Sequence, residues 1–227
     1  MQSDYRDGIY DDDDNNINGV LSTITGQVPG VIGEYAKGVL KNTIKEFYKL
    51  STAWREFVDI GPLSDAETPY QLNPLRDENI KAHSVIGLAL DGYQLARYTI
   101  GSGAQYASSV SSTESAVPTA YWTEKRTEIH FFHKLASGSS PFVAQAIVVP
   151  TLASDELSDW ALDSHGDAFI AGTLHKLHNE IGKTYTDPYK AMYYGKQWRY
   201  YINMHKIEAD KNYGDAQHAW QYPRGTM

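Results

Sequence analysis

Apolar residues recur at three- and four-residue steps in three long stretches of this chain. They alternate or run together in the segment between. From Val31 to Leu50, Ile32, Ala36, Val39 and Phe47 share one face, with Leu40 and Ile44 beside them. Lys37, Lys41, Lys45, Glu34 and Glu46 lie elsewhere, so this period predicts an amphipathic helix. Between Thr151 and Lys211 the same step appears twice. Leu162, Gly166, Phe169, Ile170, Thr173, Leu177 and Ile181 form the first row, and Ala191, Gly195, Trp198, Ile202, His205 and Ala209 the second. A short turn, Gly182 to Pro188, joins the two predicted helices. Gly182 is the expected stop of the first. Asp187 caps the second, and Pro188 suits its first position because it has no N–H to leave unpaired. So short a turn predicts antiparallel packing of the pair.

The middle of the chain changes to a strand-like pattern. Ala53 to Ile60 is broken by Gly61-Pro62; Thr68 to Leu72 is a short strand; Val85 to Leu90 runs into Asp91-Gly92, a hairpin signal. Thr119–Thr123, Glu128–Lys134 and Phe142–Val149 complete the strands. In the second of these, alternation puts Ile129, Phe131 and His133 on one face and Glu128, His130 and Phe132 on the other. Gly101 to Ala116 is Ser- and Gly-rich and aperiodic, which predicts a surface loop. Short connections predict an antiparallel sheet. Val20 to Gly30 is an apolar lead broken by Gly26, Pro29 and Gly30.

The order helix, strands, two helices predicts an α+β fold: a long-helix bundle with an antiparallel β module inserted between the first helix and the C-terminal pair. Residues 29–52 and 151–211 would form the helical layer and 53–150 the β module. Residues 1–28 and 212–227 would be arms. The first is acidic, with Asp11 to Asp14 in a row, and such a run repels itself and buries nothing. Tyr5, Ile9 and Tyr10 are candidate anchors of this arm on a neighbour.

The chain has 227 residues, 41% hydrophobic and 21% charged, enough for one large or two small cores. No apolar run of about 18 residues is present, so no membrane span is expected, and no secretory leader is visible. The lack of cysteine removes disulfides, thiolate metal sites and thiol nucleophiles, and suits assembly in a reducing cytoplasm. The net charge is -8. Gripping DNA by its phosphates needs a basic face, and clusters of Lys and Arg are missing along the chain, so tight DNA binding is not expected. The 17 Tyr and 5 Trp are rich in number, as interfaces often are.

Catalytic patterns are thin. His175 and His178 are three apart with Glu180 nearby, but the zinc-protease pattern His-Glu-x-x-His is absent and solvated or interface histidines are expected. His130 and His133 fall on opposite faces of a strand. Ser164-His165-Gly166-Asp167 holds the residue types of a hydrolase, yet a triad is made by geometry, not adjacency. Hydrolase, phosphate-loop and dinucleotide signatures do not appear. No catalytic residue, metal or cofactor is expected.

Three motifs carry a resemblance. They are Ile44-Lys-Glu-Phe-Tyr-Lys-Leu-Ser-Thr-Ala-Trp-Arg55, then Val85-Ile-Gly-Leu-Ala-Leu-Asp-Gly-Tyr-Gln-Leu95, then Ala168 to Leu177 followed by Tyr185-Thr-Asp-Pro-Tyr-Lys-Ala191. In this order the chain resembles the head-to-tail adaptor (connector) proteins of short-tailed bacteriophages, the tail tubular protein A group, over most of Pro29 to Lys211. The resemblance implies a dodecameric ring in the virion, at the head–tail junction, assembled in the bacterial cytoplasm. Such a ring joins the portal protein to the tail nozzle and lets genomic DNA pass through without specific binding. Under this reading Gly166, Gly172, Gly195 and Trp198 are candidates for helix packing or the ring interface. Trp220, Tyr222, Pro223 and Arg224 are candidates for an arm that docks on the portal or a neighbour. The rival expectations are a tail-associated, muramidase-like enzyme and a monomeric β-sandwich binding module.

Overall fold

The computed structural model describes residues 17–62, 69–73, 75, 77–98, 115–132, 134–135, 141–152 and 157–214. Among them the chain is mixed α+β, with four helices and two mainly antiparallel sheets. The helices are α1 (Ile17–Gln27), α2 (Gly33–Ser51), α3 (Asp159–His178) and α4 (Pro188–Gly214). All strands lie between α2 and α3: β1 (Arg55–Gly61), β2 (Tyr70–Gln71), β3 (Ile80–Leu90), β4 (Tyr93–Gln94), β5 (Ala96–Tyr98), β6 (Ser115–Ala116), β7 (Ala120–Glu124), β8 (Glu128–Phe131), β9 (Lys134–Leu135) and β10 (Phe142–Pro150). Two compact units divide the described residues: up to Ile44 with Leu152–Tyr201, and Lys45–Thr151 with Ile202 onward. The divisions fall inside α2 and α4.

In the first unit α1 is the element that the hydrophobic pattern hid. Part of the segment expected as an arm is helical, and it buries Ile17, Ile24 and Val28. Glycines at 19 and 26 masked the period, but a stripe at i, i+7 and i+11 suffices when it has α3 to pack on. In α2 the expected face is found at Ala36, Leu40 and Ile44, with Thr43 added. Ile32 departs from it: it precedes the helix and is 73% exposed. The buried side of α3 is broader than one stripe, and takes in Ala161, His165, Ala168, Phe169, Ala171, Gly172 and Leu174. Leu162, Gly166 and Ile170 are half-buried at its margin.

α3 ends at His178 rather than at Gly182. The amide of Asp187 donates to the His178 carbonyl at 3.0 Å, which satisfies a helix-end acceptor and turns the chain back. Gly182, at φ +78°, sits within that turn, and Ile181 lies outside the helix, 95% exposed. The start of α4 is as expected: Asp187 Oδ1 accepts from the amides of Tyr189 (3.0 Å) and Lys190 (3.1 Å). The expected buried stripe of α4 is present. Ala191, Gly195, Trp198, His205 and Ala209 are buried and Ile202 half-buried.

The second unit is built on two four-stranded sheets, ordered β1-β10-β3-β4 and β2-β8-β7-β5. Asp91 (φ 52°) and Gly92 (φ 80°) form the two-residue turn between β3 and β4, both left-handed as a hairpin of this type requires. Two pairings correct the wholly antiparallel expectation: β5 runs parallel to β7, and β6 parallel to β9. The chain between Tyr98 and Ala120 is long enough for a crossover, which a parallel pair needs. Ser115 and Ala116, expected in the surface loop, are strand; residues 99–114 lie outside the described set.

Central strand β10 is buried at every position but Gln145, so it is an apolar run without alternation. Its pairing with β3 slips at Gln145/Ala146 and again at Ile147/Val148. Leu88 and Leu90 of β3, Phe142 and Ala144 of β10, Tyr121 of β7, and Ile129 and Phe131 of β8 belong to one core cluster, so the two sheets face each other. The ends of the long helices belong here too. Phe47 of α2 meets His205 of α4 edge-on at 5.6 Å, and Arg55 pairs with Asp210 at 2.6 Å.

Candidate functional site

Three arrangements bear on function: the seam of α3 with α4, the outer face of α4, and an acid–imidazole cluster in the β7–β8 hairpin. At the seam, Gly172 faces Trp198 and Gly195 faces His175. A Cβ on Gly172 would lie 2.5 Å from Trp198 Cε3 and 2.6 Å from Thr43 Cγ2, and one on Gly195 would lie 2.9 Å from the His175 ring. His175 lies against the start of α4 and Gly172 farther along it, so the two helices run in opposite senses. Two of the small residues read from the sequence are therefore close-approach points inside one chain, with Trp198 as the knob. Gly166 is different: a Cβ there would meet nothing within 4 Å.

The histidines of α3 are engaged, not solvated. His175 Nδ1 donates to the Ala191 carbonyl at 2.8 Å, and His178 Nδ1 to the Tyr185 carbonyl at 2.9 Å. Each tautomer is set by its carbonyl partner, and each bond ties α3 to the chain entering α4. His178 also stacks on Tyr194. Glu180 accepts from the hydroxyls of Tyr185 and Tyr35. In Ser164-His165-Gly166-Asp167, His165 is buried against Trp160 while Ser164 and Asp167 are exposed, so the hydrolase residue types diverge.

α4 carries a second stripe. At about 100° per residue, Tyr189, Tyr193, Tyr200 and Ile207 fall within roughly 40° of one another. They lie opposite the buried row of Ala191, Gly195 and Trp198. All four are exposed, Tyr189 to 82% and Tyr200 to 63%. From Tyr193 onward the step is seven residues, the repeat of a helix seam. This row stands in the sequence as plainly as the buried one, but tyrosines pass as ordinary surface residues until the opposite face is known to be filled.

The hairpin cluster escaped sequence reasoning. Cross-strand pairing sets Glu124 opposite Glu128 and Trp122 opposite His130. The His130 ring stacks on Trp122, with centroids 4.9 Å apart. Its Nε2 lies 3.3 Å from Glu128 Oε1 and 3.9 Å from Glu124 Oε2, and one ligand atom from each residue falls within 4.8 Å of the others. Two carboxylates and an imidazole suit a first-row divalent metal. The cation that the fold itself supplies is Lys125, whose Nζ is 3.2 Å from Glu128 Oε2. Gln71 and then Lys125 hold the buried Glu128 carboxyl below the ordinary range. A carboxyl with a lowered folded-state pKa stabilises fully above its unfolded value, and that contribution is lost as pH falls through the folded one. The wild type is therefore expected to lose more stability than Glu128→Gln between about pH 5 and pH 3, in urea titrations at each pH. Parallel losses would remove Glu128 from the acid response.

The remaining sequence candidates, Tyr5, Ile9, Tyr10, Trp220, Tyr222, Pro223, Arg224 and His133, lie outside the described residues. No helix among the described residues is long and apolar enough to cross a membrane. No protein-family model matches the chain, and no curated protein matches it.

Proposed function

We infer that this chain is a structural virion protein: an adaptor subunit that assembles with copies of itself into a ring, dodecameric in the family it resembles. The ring would join the portal of a phage head to the tail nozzle and leave a lumen for DNA. The observation that carries this reading is the two-sided character of α4. Its inner row is filled by its own chain, while Tyr189, Tyr193 and Tyr200 form an aromatic row left over for a neighbour. A ring contact is heterologous: one surface of a subunit meets a different surface of the next, so a spare face on a long helix is what such an assembly uses. Tyrosine provides much contact area at small entropic cost. The order of motifs from Ile44 to Ala191 supplies the rest of the support.

The test is light scattering or native mass spectrometry of the purified chain, alone and with the portal protein of the same virus. A mass near twelve times the 25.4 kDa of one chain, or a monomer that joins the portal in that number, is the expected result. Tyr193→Glu with Tyr200→Glu should abolish assembly while leaving the far-ultraviolet spectrum unchanged, because both side chains are exposed in the single chain. A chain that stays monomeric with the portal and the nozzle would sink the adaptor reading and favour the binding module. Clearing of peptidoglycan in a zymogram would favour the muramidase.

A further inference from the structure

The second unit holds a concentration of positive charge that no stretch of the sequence announces. Lys45 and Lys49 from α2, Lys81 and His83 from β3, and Lys125 and Arg126 from the β7–β8 turn line one cleft of about 380 Å³. Among the described residues no Asp or Glu lines it, in a chain whose net charge is -8. The expectation that basic clusters are missing is corrected here. The cluster is made by register and packing, from segments dozens of residues apart.

We propose that this cleft binds phosphate oxyanions, either as a free polyphosphate or nucleotide or as consecutive phosphates of a single-stranded nucleic acid. Like charges held together repel, and a polyanion relieves that repulsion at every cation at once. The crowding is visible in Lys45: burial, followed by Lys81 and Lys49, holds its ammonium below the ordinary range. Arg126 Nη1 donates to His83 Nε2 at 2.8 Å. That bond leaves the proton of a neutral His83 on Nδ1 and fixes the orientation of the guanidinium. Burial and then Arg126 hold His83 below its usual value, which keeps it neutral.

The cleft is also built rather than incidental. Asn73 exchanges two hydrogen bonds with Ala82, at 2.9 and 3.0 Å, and so sets its floor. Lys125 (φ 47°) and Arg126 (φ 69°) are both left-handed, a conformation that side chains other than glycine rarely adopt. The turn therefore keeps two cations where glycine would be easier, and such outliers point to function when the surroundings over-determine them. Glu128 engages the Lys125 ammonium, with Nζ 3.2 Å from Oε2. A volume of about 380 Å³ falls within the usual range for small-ligand sites.

The inference needs neither a ring nor a portal, so its fate is separate from that of the adaptor reading. Two probes test it on the full chain: a fluorescein-labelled twelve-nucleotide oligothymidylate, read by anisotropy, and inorganic tripolyphosphate, read by calorimetry. Saturable binding of either probe at low salt is expected, with tripolyphosphate competing against the oligonucleotide if both bind. For four phosphate contacts the log–log salt slope of oligonucleotide binding should be about -3. Binding of tripolyphosphate alone identifies the free-phosphate source, and binding of both identifies the backbone. Lys45→Gln with Lys81→Gln should weaken binding at least about 10-fold at low salt, and so should the exposed Arg126→Gln, which spares the fold. Exposed Lys206→Gln should leave it unchanged. The proposal is overturned by the absence of saturable binding to both probes, or by binding that these substitutions do not touch.

Discussion

Phe142→Ala is expected to remove about 4 kcal/mol of stability. Phe142 is fully buried, at the head of β10 between Leu90 of β3 and Gly61 of β1. Its ring lies 5.2 Å from that of Phe131 on the other sheet, so it is one of the side chains by which the two sheets hold each other. Truncation removes the transfer free energy of the ring and leaves a cavity that two hydrogen-bonded sheets cannot collapse to fill. For a chain of this size a loss of that order lowers the melting temperature by about 8 to 16 °C. Urea denaturation and hydrogen exchange at β3, β8 and β10 would check it. A loss below about 1 kcal/mol would mean that the sheets do not pack at this point.

The second large effect is a pair of identical substitutions with opposite signs on one helix. Gly172→Ala should destabilise the first unit by about 2 kcal/mol. The new methyl would have to lie 2.5 Å from Trp198 and 2.6 Å from Thr43, well inside van der Waals contact, and both of those side chains are buried. Overpacking of a dense core costs about 1 to 3 kcal/mol, and more for contacts this short, against a helix-propensity gain of about 1 kcal/mol. Gly166→Ala should stabilise by up to about 1 kcal/mol, because its methyl meets nothing within 4 Å and only the propensity gain remains. Thermal melts of the two variants beside the wild type decide the matter. Stabilisation by both would dissolve the seam between α3 and α4.

These cases mark how far the sequence could be read. The helices α2 and α4 were legible because a buried stripe repeats at the helical period, and because Asp187 and Pro188 cap α4 through contacts two and three residues away. The β3–β4 hairpin was legible because Asp91-Gly92 is a local conformational demand. α1 was not, since glycines interrupt its period and its stability comes from α3. Nor could the sequence distinguish Gly166 from Gly172. Both are helical glycines six residues apart, and the positions of Trp198 and Thr43 separate them.

What the sequence alone determined is therefore the order of the three long helices and the main strands, most of their limits, and much of the face that α2 and α4 bury. Those follow from sterics, capping and hydrophobic period, which act over a few residues. What only the tertiary structure decided is which side chains meet. Lys45, Lys81 and Arg126 become one basic cleft, Glu124, Glu128 and His130 one cluster, and β5 a parallel neighbour of β7. These depend on strand register and on packing between distant segments. A register shift of a single residue would turn every side chain of a strand to its other face, so no local reading of charge or period could have placed them.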